Sequence, residues 1–135
     1  MDDAKRDLVR AWLVRAQRDV DAARTLAGAS PPQLDSAVYH CQQASEKAVK
    51  GFLTLHDVRV AKTHDVQALM AAAQPAEPGF GAWLAAAERL TPYATAFRYP
   101  GDELEPDREE YEAAFADAAG VVAFVLSRVP AEMRP

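Results

Sequence analysis

One stretch of the chain concentrates side chains that can bind an anion. It contains His40, Gln43, Lys47 and Lys50, with Gln42 and Glu46 beside them. On a helix that turns 100° per residue, the first four fall within about 80° of one another. Imidazole, amide and ammonium groups donate hydrogen bonds to phosphate or carboxylate oxygens. This polar strip predicts one of two arrangements: a groove that binds an anion, a nucleotide or a partner, or a polar seam against another helix.

A second candidate lies later in the chain, where Arg98 and Tyr99 directly precede Pro100-Gly101. The planar guanidinium of arginine suits phosphate because it can donate two parallel hydrogen bonds. In the functional interpretation both residues join the strip around one ligand. That gives a predicted site of His40, Gln43, Glu46, Lys47, Lys50, Arg98 and Tyr99. In the structural alternative, Arg98 pairs with acidic residues of the turn or with Glu46, and Tyr99 packs on the protein.

Helices must position these side chains. The sequence has 29 alanines and no isoleucine, which favours helices over strands. Apolar residues recur at helical spacing in four segments. We place these at about Asp2–Ala27, Gln33–His56, Thr63 or His64 to Leu90, and Asp107–Val129. The pattern predicts an all-α, up-down four-helix bundle with a broken or kinked third helix, forming a single domain over residues 1–135.

The third segment contains its own stop and start signals. Thr63 can cap its beginning by accepting a backbone N–H bond. The run Pro75-Ala76-Glu77-Pro78-Gly79 ends the first piece near Ala73, and a second piece spans about Phe80–Leu90. Thr91-Pro92 then resembles an N-cap with proline at the first helical position, which opens a short turn to Phe97.

Length, charge and cysteine usage exclude several classes of protein. The chain has 135 residues and a net charge of −5, which opposes broad binding to nucleic-acid duplexes. The single cysteine, Cys41, excludes an internal disulfide and a multi-cysteine zinc site, and its place on an apolar face predicts a buried, inert thiol. No run is apolar enough for a membrane span, and charges at the N-terminus oppose a signal peptide. We therefore expect a cytoplasmic protein without a membrane partner.

The charge is unevenly distributed. Residues 1–63 carry ten Lys/Arg and eight Asp/Glu, whereas residues 64–135 carry five and twelve. Five arginines lie on the first helix, at positions 6, 10, 15, 18 and 24, with aspartates interleaved at 7, 19 and 21. This pattern is typical of a solvated helix face. Alternatively, the face contacts an acidic partner or phosphate, and the asymmetry also permits self-association.

Four blocks of the sequence, in order, resemble the HEPN family. They are Tyr39–Lys50, Thr63–Leu69, Leu90–Tyr93 and Phe97–Gly101, and the likeness covers roughly residues 5 to 128. The resemblance implies a small all-α bundle that is commonly dimeric and is often encoded with, or fused to, a minimal nucleotidyltransferase. Members of the family include nucleotide-binding modules, toxin–antitoxin components and metal-independent RNases.

The RNases of this family share an Arg-x(4–6)-His motif near the start of the last helix. Arg98 matches the arginine, but Glu103, Leu104 and Glu105 follow at the relevant spacing and no histidine comes after Arg98. Arg59 and His64 have the spacing of the Arg-x(4–6)-His motif. They precede the third helix, however, so a structural role for His64 is the better interpretation. The resemblance therefore does not imply RNase activity here.

No cofactor or metal is expected. His40 and His56 lie sixteen residues apart on one helix, about 24 Å, so they cannot share an ion within one chain. The favoured function is a non-catalytic nucleotide-binding or interaction module that forms a homodimer and works with a nucleotidyltransferase in a toxin–antitoxin-like pair. One alternative is an RNase that completes a degenerate motif with His40 or His64 of a second chain, although RNA is not the favoured ligand. The other is a purely structural dimerisation module.

Overall fold

Five α-helices make up most of the chain in a computed structural model, which describes residues 1–101 and 104–135. They are α1 (Asp3–Ala27), α2 (Leu34–Leu55), α3 (Val66–Ala73), α4 (Leu84–Leu90) and α5 (Arg108–Ser127). Short 3-10 turns lie at Pro78–Trp83, Thr91–Ala94 and Ala131–Met133. No strand occurs among the described residues, which confirms the all-α prediction. Asp102 and Glu103 lie outside the described residues.

The long helices α1 and α2 form the most extensive contact of the bundle. The Asp2 carboxylate begins α1 by accepting a 2.7 Å hydrogen bond from the backbone N–H of Lys5. Gly28 follows the last residue of α1, and Pro31 and Pro32 prevent the helix from continuing. Most residues of α2 are buried because α1, α3, α4 and α5 all contact it. The polar strip therefore lies on the central helix of the bundle.

The third position of the bundle is divided between α3 and α4, as the prolines predicted. Two boundaries differ from the prediction. α4 begins at Leu84 rather than at Phe80, because Phe80 lies in the 3-10 turn Pro78–Trp83.

α3 begins at Val66 rather than at Thr63 or His64, and Asp65 is its cap, since its Oδ1 accepts a 3.0 Å bond from the N–H of Ala68. Thr63 instead accepts a 3.1 Å bond from the N–H of Asp65. Both side chains are good N-cap acceptors, and the one closer to the apolar run is used.

The segment around Thr91 and Pro92 also differs from the prediction. Thr91 does not cap the turn that Pro92 enters. Its Oγ1 donates to the carbonyl of Ala87 at 2.8 Å and accepts from the N–H of Val66 at 3.2 Å. The hydroxyl therefore connects the end of α4 to the start of α3, which holds the two pieces of the broken helix together. A short 3-10 turn does follow, but it covers Thr91–Ala94 and so ends before Phe97, the predicted end.

Aromatic rings fill the core between the central helix, the linking turn and the last helix. Phe80 is fully buried in the turn, with ring centroids 4.9 Å from Phe52 of α2 and 4.9 Å from Phe124 of α5. Cys41 is also buried, and burial together with the charge of Asp117 raises the pKa of its thiol to about 12. The thiol is therefore protonated at neutral pH, as an inert core residue should be.

The last helix completes the bundle. α5 begins one residue after the predicted start, because Asp107 lies outside it as the cap and accepts a 2.8 Å bond from the N–H of Glu110. Glu109 and Glu110 lie in its first turn, where negative charge is favourable. No described helix is long and apolar enough to cross a membrane.

Candidate functional site

The polar strip on α2 divides into two clusters, each built around one buried carboxylate. The first is the Asp19 cluster, formed by Asp19, His40 and Lys47. The second is the Glu46 cluster, formed by Glu46, Gln42, Lys50 and His64. Four of these side chains belong to the strip's predicted site residues, namely His40, Glu46, Lys47 and Lys50. The remaining strip residue, Gln43, is buried and donates a 2.7 Å hydrogen bond to Oε1 of Gln42.

The Asp19 cluster joins α1 to α2. Asp19 is only 7% exposed, and its Oδ1 lies 2.8 Å from Nδ1 of His40. Its Oδ2 accepts a 2.6 Å hydrogen bond from Nζ of Lys47. An ionised carboxylate can only accept, so Nδ1 of His40 carries the hydrogen and Nε2 is the nitrogen left for a second interaction. This geometry orients the imidazole as carboxylates orient histidines in many sites.

The Glu46 cluster joins α2 to the residues that precede α3. Oε1 of Glu46 accepts from Nε2 of Gln42 at 3.1 Å and lies 2.7 Å from Nδ1 of His64. Oε2 accepts a 3.0 Å bond from Nζ of Lys50. Gln42 also donates to the backbone carbonyl of His64 at 2.9 Å. The cluster thus fixes the polypeptide just before the cap of α3.

Burial and hydrogen bonding act in opposite directions on Glu46. Burial by itself raises the pKa of the carboxyl, because it penalises the charged form. Hydrogen bonds from His64, Gln42 and Lys50, with the charge of Lys50, outweigh burial and lower the pKa below its ordinary value of 4.5. Glu46 is therefore ionised at neutral pH, and the Lys50 ammonium, which is similarly enclosed, has a charge partner.

Arg98 lies apart from these carboxylates and stacks on an aromatic ring. Its guanidinium carbon is 3.8 Å from the centroid of the Tyr39 ring. The Tyr39 and His40 rings form an edge-to-face pair with centroids 5.4 Å apart, so Tyr39 contacts both Arg98 and the Asp19 cluster. Glu46, which sequence reasoning offered as one partner for Arg98, has its oxygens bound by other groups. Stacking leaves the edge of a guanidinium able to donate hydrogen bonds.

An open cleft of about 340 Å³ runs beside Arg98. Its lining residues are Asp35, Phe97, Arg98, Tyr99, Pro100, Gly101 and Glu105, and an adjoining hollow adds Ser36. Tyr99 is 72% exposed there. The cleft therefore combines one cation, aromatic surface and a hydroxyl with two carboxylates, at the beginning of α2.

The structure brings the predicted site residues together only in part. His40 and Lys47 share Asp19, Lys50 pairs with Glu46, and Arg98 and Tyr99 line the cleft. Sequence reasoning missed Tyr39 as the ring under Arg98 and missed the role of Asp19. The second omission had a signal, because Asp19, like Arg15, interrupts the apolar stripe of α1, and a buried charge needs a partner.

The three histidines have separate environments. His40 bonds to Asp19, His64 bonds to Glu46, and the ring of His56 packs on Phe52 at 4.3 Å between centroids. Within residues 1–101 and 104–135, no group of three or more histidine, cysteine or acidic side chains is arranged to hold a metal ion.

Comparisons with known proteins agree with this fold. The fold and site define a small all-α bundle whose central helix carries paired buried charges. The HEPN domain model matches residues 9–129, and the chain belongs to the HEPN domain family. No curated protein matches the sequence.

Two solved structures are similar. One is TT1696 from Thermus thermophilus, with a TM-score of 0.74 and 28% identity over 90% of this chain and 98% of that chain. The other is ST0689, described as an archaeal HEPN homologue, with a TM-score of 0.70 and 23% identity over 90% of this chain and 98% of that chain. The second likeness concerns the fold alone.

Proposed function

We propose that this HEPN domain is a non-catalytic binding module that holds a nucleotide through its phosphate at Arg98. The observation that carries the proposal is the guanidinium stacked 3.8 Å above the Tyr39 ring, at the edge of an open cleft. Stacking orients the arginine before a ligand arrives, so less side-chain freedom is lost on binding. A bidentate pair of charged hydrogen bonds to phosphate is the strongest interaction that such a group can make.

The cleft supports a nucleotide rather than phosphate alone. A volume of about 340 Å³ lies at the small end of the range for ligand sites, roughly 300–1,000 Å³. Phe97 and Tyr99 offer aromatic surface to a base, and Asp35 can accept hydrogen bonds from ribose hydroxyls. Asp35 and Glu105 also oppose a long phosphate chain by charge. The proposed ligand is therefore a nucleoside monophosphate in preference to a triphosphate.

In this proposal the α2 strip supports the site and does not enclose the ligand. Lys47, Lys50 and Glu46 are committed to internal ion pairs, which hold α2 and the segment before α3 in place. His40 positions Tyr39, whose ring carries Arg98. Arg98 and Tyr99 make the ligand contacts, and Gln43 remains part of the buried hydrogen-bond chain.

Isothermal titration calorimetry with adenosine monophosphate tests the proposal. We expect Arg98→Ala to weaken binding about 10- to 100-fold, because one charge-assisted interaction contributes roughly 1.5–3 kcal/mol. Arg59→Ala is the matched control, since Arg59 is an exposed arginine in the α2–α3 connector and should leave affinity unchanged. Adenosine triphosphate and inorganic phosphate should bind more weakly than the monophosphate. Absence of heat from every nucleotide, or equal affinity in Arg98→Ala and wild type, would refute the ligand site.

We expect purified protein not to cleave single-stranded RNA. Nδ1 of His40 bonds to Asp19, Nδ1 of His64 bonds to Glu46, and Arg98 stacks on Tyr39, so each member of a possible arginine–histidine pair already has another partner. The assay is gel analysis of a fluorescent RNA oligonucleotide over several hours. Cleavage that disappears in both Arg98→Ala and either His40→Ala or His64→Ala would instead support the RNase alternative.

A partner-binding role is the second candidate. The charged side chains of the two clusters pair with one another, so the strip stabilises the fold. Such a stabilising strip is compatible with an interaction module as well as with a ligand-binding module. The family resemblance supports a homodimer and a nucleotidyltransferase partner in a toxin–antitoxin-like pair. Co-expression with the nucleotidyltransferase of a neighbouring gene, followed by co-purification, tests that partner, and failure to co-purify at micromolar concentrations would contradict it.

A further inference from the structure

The Arg98 cleft contains two carboxylates that have no cation as a partner. Asp35 and Glu105 line the cleft together with Arg98, and neither forms an ion pair within the described part of the chain. Oδ1 of Asp35 accepts a 2.8 Å hydrogen bond from the N–H of Ser36, whereas no described residue donates to the carboxylate of Glu105. The cleft therefore suits a ligand that carries hydrogen-bond donors as well as a phosphate.

We propose that the cleft selects guanine over the other bases and that Glu105 recognises the base, an inference that rests on the proposed binding of a nucleoside monophosphate. Guanine presents two adjacent donors on one edge, N1–H and the 2-amino group. The two oxygens of a carboxylate lie side by side and can accept both hydrogen bonds. Both bonds are charge-assisted, and such bonds are roughly twice as strong as those between neutral groups.

The other bases match a carboxylate less well. Adenine and cytosine each present a ring nitrogen that accepts beside the amino group that donates, so one carboxylate oxygen would face a lone pair. The single ring N–H of uracil lies between two carbonyls, whose oxygens would repel the carboxylate. Hypoxanthine, the base of inosine, keeps the N1–H of guanine but lacks the 2-amino group, so one of the two bonds is lost. Affinity should therefore fall from guanosine to inosine to adenosine monophosphate.

Glu105 is better placed than Asp35 to recognise a base edge. The guanine edge needs both carboxylate oxygens, and one oxygen of Asp35 already accepts from the backbone of Ser36. Asp35 is also half-buried in the first turn of α2, whereas Glu105 is exposed at the cleft and has the longer side chain. Asp35 therefore keeps its proposed role toward the ribose, and Glu105 binds the base.

The lining of the cleft is held in place before a ligand arrives. Pro106, directly after Glu105, is buried, and a proline restricts the residue before it to extended backbone. Asp107 follows as the cap of α5, which fixes the next residue as well. The ring of Phe97 stacks on that of Tyr93, with centroids 6.2 Å apart. Less conformational freedom is therefore lost when the ligand binds.

Calorimetric titration with guanosine, inosine and adenosine monophosphates tests the assignment. Wild type should bind guanosine monophosphate at least about tenfold more tightly than adenosine monophosphate, because two charge-assisted hydrogen bonds distinguish them. Glu105→Gln should reduce this preference to below about threefold, because the amide offers one acceptor oxygen instead of two. Glu109→Gln removes the same charge at an exposed position of α5 outside the cleft lining, so this matched control should keep the preference.

Arg98→Ala separates this inference from the phosphate site. It should weaken the binding of guanosine and adenosine monophosphates by the same factor, so their ratio should stay unchanged. Equal affinity of wild type for the two nucleotides, or a preference that survives Glu105→Gln, would overturn the guanine assignment and leave the Arg98 site standing. A guanine preference that depends on Glu105, in a protein whose affinity is unchanged by Arg98→Ala, would overturn the phosphate site alone. Absence of binding by all three nucleotides would overturn both.

Discussion

Glu46→Ala is expected to lower the free energy of unfolding by about 3–5 kcal/mol, because it leaves the ammonium of Lys50 buried without a charge partner. Lys50 is 8% exposed and has Glu46 as its ion-pair partner. The amide of Gln42, which is fully buried, loses one acceptor as well. Urea denaturation followed by circular dichroism measures the change. Glu88→Ala, at an exposed glutamate of α4, should change stability by less than about 0.5 kcal/mol.

The same carboxylate makes stability depend on pH. The folded-state pKa of Glu46 lies below the ordinary value of 4.5, so its contribution is complete above pH 4.5 and is lost as the pH falls through the folded-state pKa. Wild type should therefore lose stability in this acidic range, and Glu46→Gln should lose less over the same interval. Equal acid dependence in the two proteins, or a loss below about 1 kcal/mol in Glu46→Ala, would show that the cluster contributes little to folding.

Phe80→Ala is expected to destabilise the protein by about 3–5 kcal/mol, the usual cost of removing a fully buried phenylalanine. Phe80 is 0% exposed and its ring packs edge-on against both Phe52 and Phe124. It is also the buried anchor of the Pro78–Trp83 turn, so its loss frees the connection between α3 and α4. Thermal and urea unfolding of the variant measure the effect.

Leu104→Ala is the matched control for Phe80→Ala. Leu104 is 93% exposed, so truncating it removes little buried surface and should leave the unfolding midpoint nearly unchanged. Similar destabilisation in the two variants would contradict the core described here. Retention of nearly full stability by Phe80→Ala would contradict it too.

The helices were predictable because their signals are local. Apolar spacing placed both ends of α1, α2 and α5 to within two residues, and Pro75 and Pro78 marked the break in the third helix. The caps were less predictable where two suitable side chains compete. Thr63 and Asp65 both offer an oxygen acceptor at the start of α3, and only packing selects Asp65.

The candidate site was harder to predict because its contacts join distant parts of the chain. Helical geometry places His40, Lys47 and Lys50 near one another, but it does not show which neighbour each one meets. Asp19 of α1 pairs with His40 and Lys47, whereas Lys50 pairs with Glu46 of its own helix. The stacking of Arg98 on Tyr39 depends on how the chain turns after α4, which no periodicity encodes.

The most direct test of the Arg98 site is the NMR signal of its own guanidinium. The Nε–Hε resonances of the arginines can be assigned with Arg98→Lys and Arg59→Lys variants and followed during titration with adenosine monophosphate. We expect the Arg98 signal to shift in a saturable way, with the dissociation constant found by calorimetry, while the Arg59 signal stays in place. An Arg98 signal that does not move while other residues respond to the nucleotide would contradict the assignment of phosphate binding to Arg98.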